Sequence, residues 1–148
     1  MKQQPIQIFV DGSGADPNGF AGFAWLREGQ KPHVEWGRGW TNNEAEYRAV
    51  LSAVKSLPNG TEATILCDSA LVVRQLRSEY EVREPRLWDL RAEIETVIFN
   101  NVLRITWVWI SGKENKADRL LRQKPKATEQ TACAHKEPHR TKLQVKAR

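Results

Sequence analysis

Cysteine and histidine are scarce in this sequence, with two and three copies in 148 residues. Cys67 and Cys133 lie in unrelated contexts, so neither a disulfide framework nor a cysteine metal cluster is expected. His33, His135 and His139 form no ligand-like spacing. No apolar run approaches the roughly 18 residues of a membrane span, and the start, Met1-Lys2-Gln3-Gln4-Pro5, lacks the long apolar stretch of a signal peptide. Internal repeats are absent, and no linker precedes residue 124. These absences leave a single soluble domain, expected in the cytoplasm, away from membranes and, with no oligomer seam in the pattern, as a monomer.

Charge is unevenly placed. Residues 124–148 carry seven Lys/Arg and two acids, so the whole net charge of +5 resides there and 1–123 is neutral. Pro125 and Pro138 interrupt that stretch and apolar periodicity is missing, so the expectation is a folded domain over 1–123 and a basic, disordered tail over 124–148. The tail is either a passive solubilising end or a nonspecific arm for nucleic acid.

Within 1–123 strands and helices follow one another. Ile6, Ile8 and Val10 alternate in a strand that stops at Asp11, and strands near 20–28 and 31–40 complete an antiparallel meander. Val50, Ala53, Val54 and Leu57 recur at helical spacing over 43–57, ended by Pro58-Asn59-Gly60. Thr64-Ile65-Leu66-Cys67 is apolar on both faces, as a central parallel strand is, and closes on Asp68. Helices over 69–78 and 85–100, a strand over 103–110 and a short helix over 117–123 follow. The order βββαβααβα predicts an α/β fold with a mixed five-stranded sheet flanked by helices.

Asp11 and Asp68 each end an apolar strand, where ligands of open α/β sheets bind. Glu46 lies four, seven and eight residues before Val50, Ala53 and Val54, in line with the buried stripe of a helix's first turn. Asp118 opens the last helix beside Leu120 and Leu121. A helix macrodipole accounts for either helical acid alone. Four such acids on one sheet edge repel unless a cation lies among them, and hard oxygen ligands suit magnesium or manganese.

These acids sit in four segments that resemble the ribonuclease H family, in order: Ile8-Phe9-Val10-Asp11-Gly12-Ser13, Thr41-Asn42-Asn43-Glu44-Ala45-Glu46-Tyr47, Cys67-Asp68-Ser69 and Asn115-Lys116-Ala117-Asp118-Arg119-Leu120. The resemblance covers roughly 5–122. It implies a ribonuclease H-like fold and a metal-dependent endonuclease cutting the RNA strand of an RNA/DNA hybrid to 5′-phosphate and 3′-hydroxyl ends. Asp11, Glu46, Asp68 and Asp118 would be catalytic and hold two Mg2+ or Mn2+ ions per site, Asp11 bridging both and Asp118 binding one more loosely. Gly12, Ser13, Asn42, Asn43 and the Glu46 backbone would meet 2′-hydroxyls in the minor groove, and Thr41 a phosphate of the DNA strand. Asn42 and Asn43 also suit helix capping. Trp88 and Trp109 fall at tryptophan positions of similar proteins and are expected in the core.

The sequence departs from the family in places. Many relatives carry a histidine in the loop before the last helix; Ser111-Gly112-Lys113-Glu114-Asn115 has none, and Lys113 is the cation available to substrate there. Tyr80 to Pro85 is too short for the basic protrusion of other members, and Glu44 and Ala70 replace polar or basic substrate contacts. A resolvase or transposase fragment, the ribonuclease H part of a reverse transcriptase and an inactive hybrid-binding module are the alternatives. The Thr-Asn-Asn motif argues against the first, the lack of a polymerase portion against the second, and the four acids against the third.

Deleting 124–148 should leave the fold intact and lower affinity for hybrid and duplexes alike, since phosphate contacts carry no sugar information. With some of the seven cations in contact at once, the log–log salt slope should fall by about 2–3. Michaelis constants of the full and truncated chains at two salt concentrations decide between arm and appendage; equal values and slopes mean a passive end.

Overall fold

A computed structural model describes residues 4–124. Five strands form one sheet, β1 (Ile6–Ser13), β2 (Phe20–Arg27), β3 (His33–Arg38), β4 (Glu62–Cys67) and β5 (Arg104–Trp109), in the order β3-β2-β1-β4-β5. β1 pairs antiparallel with β2 and β2 with β3, while β1, β4 and β5 run parallel. The helices are α1 (Asn42–Lys55), α2 (Ala70–Leu76) and α3 (Pro85–Asn100). Thr41 caps α1 by accepting the Glu44 N–H on Oγ1 at 3.1 Å, and Pro85 opens α3, where its missing donor costs nothing.

One apolar layer lies between the sheet and α1 and α3. Ile8, Val10, Val50, Val54, Ile65 and Ile94 are all but fully buried in it, and the Tyr47 hydroxyl donates to Gln75 Oε1 at 2.8 Å inside it. α1 crosses β1 closely at Gly12, where a Cβ would meet the Ala45 carbonyl carbon and the Glu46 nitrogen at 2.4 Å. That contact decides which α1 residues face the end of β1.

Four expectations change. β1 does not stop at Asp11: its parallel pairing with β4 ends at Val10↔Cys67, but its antiparallel pairing with β2 continues through Asp11↔Ala24 to Ser13↔Gly22. Asp11 is thus held on one side and open on the other. Trp88 and Trp109, expected in the core, are 53% and 52% exposed. Trp88 stands next to the Leu87–Leu90–Ile94 stripe of α3 and so points about 100° away from it; Trp109 ends an edge strand. The last helix is a 3-10 turn over Asp118–Leu121 instead of an α-helix over 117–123. Asn115 is extended (φ −80°, ψ 104°) and Pro125 disfavours the α conformation at Lys124, and the segment between them closes on i→i−3 hydrogen bonds. α2 ends at Leu76, closed by Ser78 at φ 65°. The tail expected over 124–148 lies, apart from Lys124, outside the described residues.

Val102 follows α3 with φ 53°, a left-handed conformation unsuited to a β-branched residue, and is 69% exposed. The turn is closed by Leu103 N–H on Ile98 O at 2.9 Å, the geometry in which glycine is usual. Relief of the Cβ clash exceeds the entropy that glycine adds to the unfolded chain, so Val102→Gly should stabilise by about 0.5–1 kcal/mol. Urea unfolding with a raised midpoint and unchanged slope is the expected result; a lowered midpoint contradicts the strain.

Candidate active site

Asp11 stands on β1 just past the end of its pairing with β4, and Asp68 is the residue after β4, so both carboxyl groups emerge at the same sheet end. The close approach at Gly12 sets Glu46 of α1 beside them. Carboxylate oxygens of Asp11, Glu46 and Asp68 lie within 4.8 Å of one another. Asp11 and Glu46 are each 7% exposed. Because α1 begins at Asn42, Glu46 lies beyond its first turn; the first-turn acid is Glu44. The helix macrodipole therefore does not account for Glu46, since its effect fades within one turn.

Electrostatics mark the cluster as strained when empty of cations. Burial first, then the charges of Asp68 and Asp118, push Asp11 up to about 7. Burial, then Asp11 and Asp68, push Glu46 up to about 9. Asp68 is raised by burial, against a hydrogen bond from Asn115 that favours its charged form. Buried carboxylates in such proximity, with only hard oxygen donors, fit a divalent cation such as magnesium or manganese.

The acids stand in an open cleft of about 610 Å³. Gly12 and Ser13 form one wall, Asn42 and Asn43 another, and Asp118, Leu121 and Arg122 a third. Asp118 is outside the tight trio; its Oδ2 accepts from Arg122 Nη2 at 2.5 Å. Asn42 Oδ1 accepts the Gly14 N–H at 2.6 Å, which ties α1 to the turn after β1 and orients the amide. Thr41 and Lys113 are exposed and do not line the cleft. Glu44 is buried and bound by Arg48 and Arg86 at 3.2 and 3.1 Å, so it is structural.

Sequence reasoning passed over several supports. Asn115, 4% exposed, donates from Nδ2 to Val10 O at 2.9 Å and to Asp68 Oδ2 at 3.1 Å, and accepts the Ala117 N–H. The Asn-x-x-Asp spacing from Asn115 to Asp118 was its available signal. Trp109 Nε1 donates to Asp68 O at 3.1 Å, a contact that depends on strand register. Cys67 donates its thiol to Glu46 Oε1 at 3.4 Å, and burial raises that thiol's pKa. The Asp118–Arg122 spacing of four was readable as a helical ion pair.

The family model for RNase H matches residues 3–126. A bifunctional protein of Mycobacterium tuberculosis is 34% identical over 101 residues, covering 66% of this chain and 28% of that protein. The chain thus spans under a third of the length of that relative. Its N-terminal ribonuclease H domain, as a solved structure, has a TM-score of 0.69 at 28% identity, with 79% of this chain and 95% of that one covered. LC11 ribonuclease H1, solved in complex with an RNA/DNA hybrid, also scores 0.69 at 29% identity, covering 78% and 92%.

Asp11 and Glu46 have folded pKa values above their unfolded ones, so the stability they contribute is complete below about pH 4 and is lost as pH rises through about 7 and 9. In EDTA the protein should lose stability across that window, and magnesium should restore it. Asp11→Asn should be more stable than wild type by about 1–3 kcal/mol in EDTA at pH 8, the gap narrowing towards pH 4.5. Thermal melts at both pH values check this; a destabilised variant at pH 8 contradicts the repulsion.

Proposed function

The chain belongs to the ribonuclease H family, and from that premise we propose that it is an endonuclease hydrolysing the RNA strand of RNA/DNA hybrids to 5′-phosphate and 3′-hydroxyl ends. The observation that carries the reading is the convergence of Asp11, Glu46 and Asp68 oxygens within 4.8 Å in a cleft edged by Gly12, Asn42 and Asn43. A relative with the same fold has been solved with a hybrid bound, which supports the substrate class.

Asp11, Glu46 and Asp68 would hold one divalent ion, Mg2+ or Mn2+, with Asp11 and Asp118 holding a second. Two such ions stabilise charge on the attacking and leaving oxygens of a phosphodiester displacement. Asn115 fixes the Asp68 carboxylate by its 3.1 Å hydrogen bond, and Asp11 keeps its orientation from the β2 ladder. Glu46 reaches this pair because nothing but hydrogen stands on the Gly12 α-carbon.

Selection of RNA would fall to the wall of the cleft. With Asn42 Oδ1 occupied by the Gly14 N–H, the amide NH2 is left to donate to a 2′-hydroxyl. Asn43 and the backbone of Gly12, Ser13 and Glu46 would make the neighbouring contacts. Thr41 uses its oxygen as a cap acceptor, so its hydroxyl hydrogen remains for a phosphate of the DNA strand. Lys113, outside the cleft, would meet substrate only at its rim.

The test is cleavage of a labelled hybrid with magnesium or manganese, beside duplex DNA, duplex RNA and EDTA controls. Hybrid alone should be cut, and only with metal. Asp11→Asn, Asp68→Asn and Glu46→Gln should each lower the rate by about 10³-fold or more while retaining fold and hybrid binding, and Asp118→Asn by about 10–100-fold. Half the wild-type rate in Asp11→Asn would overturn the assignment, and binding without cleavage by the wild type would favour an inactive hybrid-binding module.

A further inference from the structure

The segment from Asn115 to Arg122 turns on i→i−3 hydrogen bonds at alternate residues, Asp118 N to Asn115 O, Leu120 N to Ala117 O and Arg122 N to Arg119 O, at 3.0–3.3 Å, with Lys116 in the turn that leads into the 3-10 helix Asp118–Leu121. With three residues per turn, side chains three apart stack in rows. Asn115, Asp118 and Leu121 form one row and Ala117 and Leu120 a second, and both are buried or half-buried against the sheet. The third row, Lys116, Arg119 and Arg122, is exposed and wholly cationic. Successive positions along it are about 6 Å apart, close to the separation of neighbouring phosphates on one strand.

Its two ends are placed by contacts. Arg122 lines the acid cleft and reaches Asp118. The Lys116 ammonium lies 5.5 Å from the centre of the Phe9 ring on β1. Among the described residues neither Lys116 nor Arg119 is paired with a carboxylate, whereas Arg48, Lys55, Arg77, Arg83, Arg86 and Arg91 are. Lys113, although also three residues away, falls outside the row because Asn115 is extended.

We propose that the row Lys116–Arg119–Arg122 is a rail for the phosphodiester backbone of the hybrid where it passes the edge of the cleft. The inference rests on the function proposed above and names a docking surface for that substrate. Three cations in a line at phosphate spacing attract a strand without reading its bases or sugars. They do so beside a cleft whose own carboxylates repel phosphate.

The experiment uses the full chain with Lys116→Gln and Arg119→Gln combined, sparing Arg122 because it touches Asp118. Lys31→Gln with Arg104→Gln is the control: these exposed cations lie at the start of β5 and in the turn after β2, at the sheet end opposite the acids. Fluorescence anisotropy of a labelled hybrid in EDTA across a salt series should show affinity about 3–10-fold weaker at low salt for the rail pair, with the log–log slope shallower by about 2. The control pair should keep its slope, and the rail pair should raise KM with kcat unchanged. Equal losses for both pairs would reduce the effect to net charge, and unchanged binding by the rail pair would remove it; either overturns the rail. A wild type that fails to cleave while the rail pair still weakens binding would instead remove the nuclease reading and keep the rail.

Discussion

Nothing at the site is possible unless α1 can lie against β1 at Gly12. An added methyl there would meet backbone atoms of Ala45 and Glu46 at 2.4 Å, so the helix would have to back away. Glu46 would then leave Asp11 and Asp68, and the Asn42 bond to Gly14 would stretch with it. The same contact is made next door, where a Cβ on Gly14 would meet Asn42 Oδ1 at 2.5 Å. Backbone packing thus sets both the carboxylate trio and the asparagine wall, which is why one helix start places both beside Asp11.

Holding like charges that near has a cost, and the fold meets it from beneath. The layer under the acids, with Ile8, Val10, Val50 and Ile65 essentially sealed from water, is apolar and close-packed. It stabilises the arrangement, yet it also desolvates Asp11 and Glu46, which is the largest cause of their raised pKa values. Hydrogen bonds then fix direction: Asn115 and Trp109 on Asp68, Cys67 on Glu46. Asn115, 105 positions from Val10, donates to the Val10 carbonyl where β1 parts from β4, so the chain's last described segment belongs to the site as fully as its first strand does.

Motif residues were legible because local chemistry marks them. An acid aligned with a buried stripe, as Glu46 is with Val50 and Val54, has few reasons to exist, and acids ending apolar strands cluster at one sheet edge. Less legible was whatever depends on neighbours in space. Asp11 looked like a strand end because the alternation stops there; only the register with Ala24 shows that β1 continues. The exposure of Trp88 and Trp109 turns on helix phase and on β5 lying at an edge, neither of which tryptophan itself reveals. α1 begins one residue sooner than its periodicity suggests, and this places Glu46 past the first turn and weakens its bland explanation.

The end of the described chain shows how a small change of helix type alters what a sequence means. Spaced by three, Lys116, Arg119 and Arg122 would wind about 60° per step around an α-helix. In a 3-10 turn they align, while Ala117 and Leu121 are driven inward. The turn follows directly on Asn115, which is extended and held by Val10 and Asp68. The hydrogen bonds that orient a catalytic candidate therefore also shape the surface beside it. One short segment thus steadies an acid of the cleft through Asn115 and sets the cations Lys116, Arg119 and Arg122 beside it.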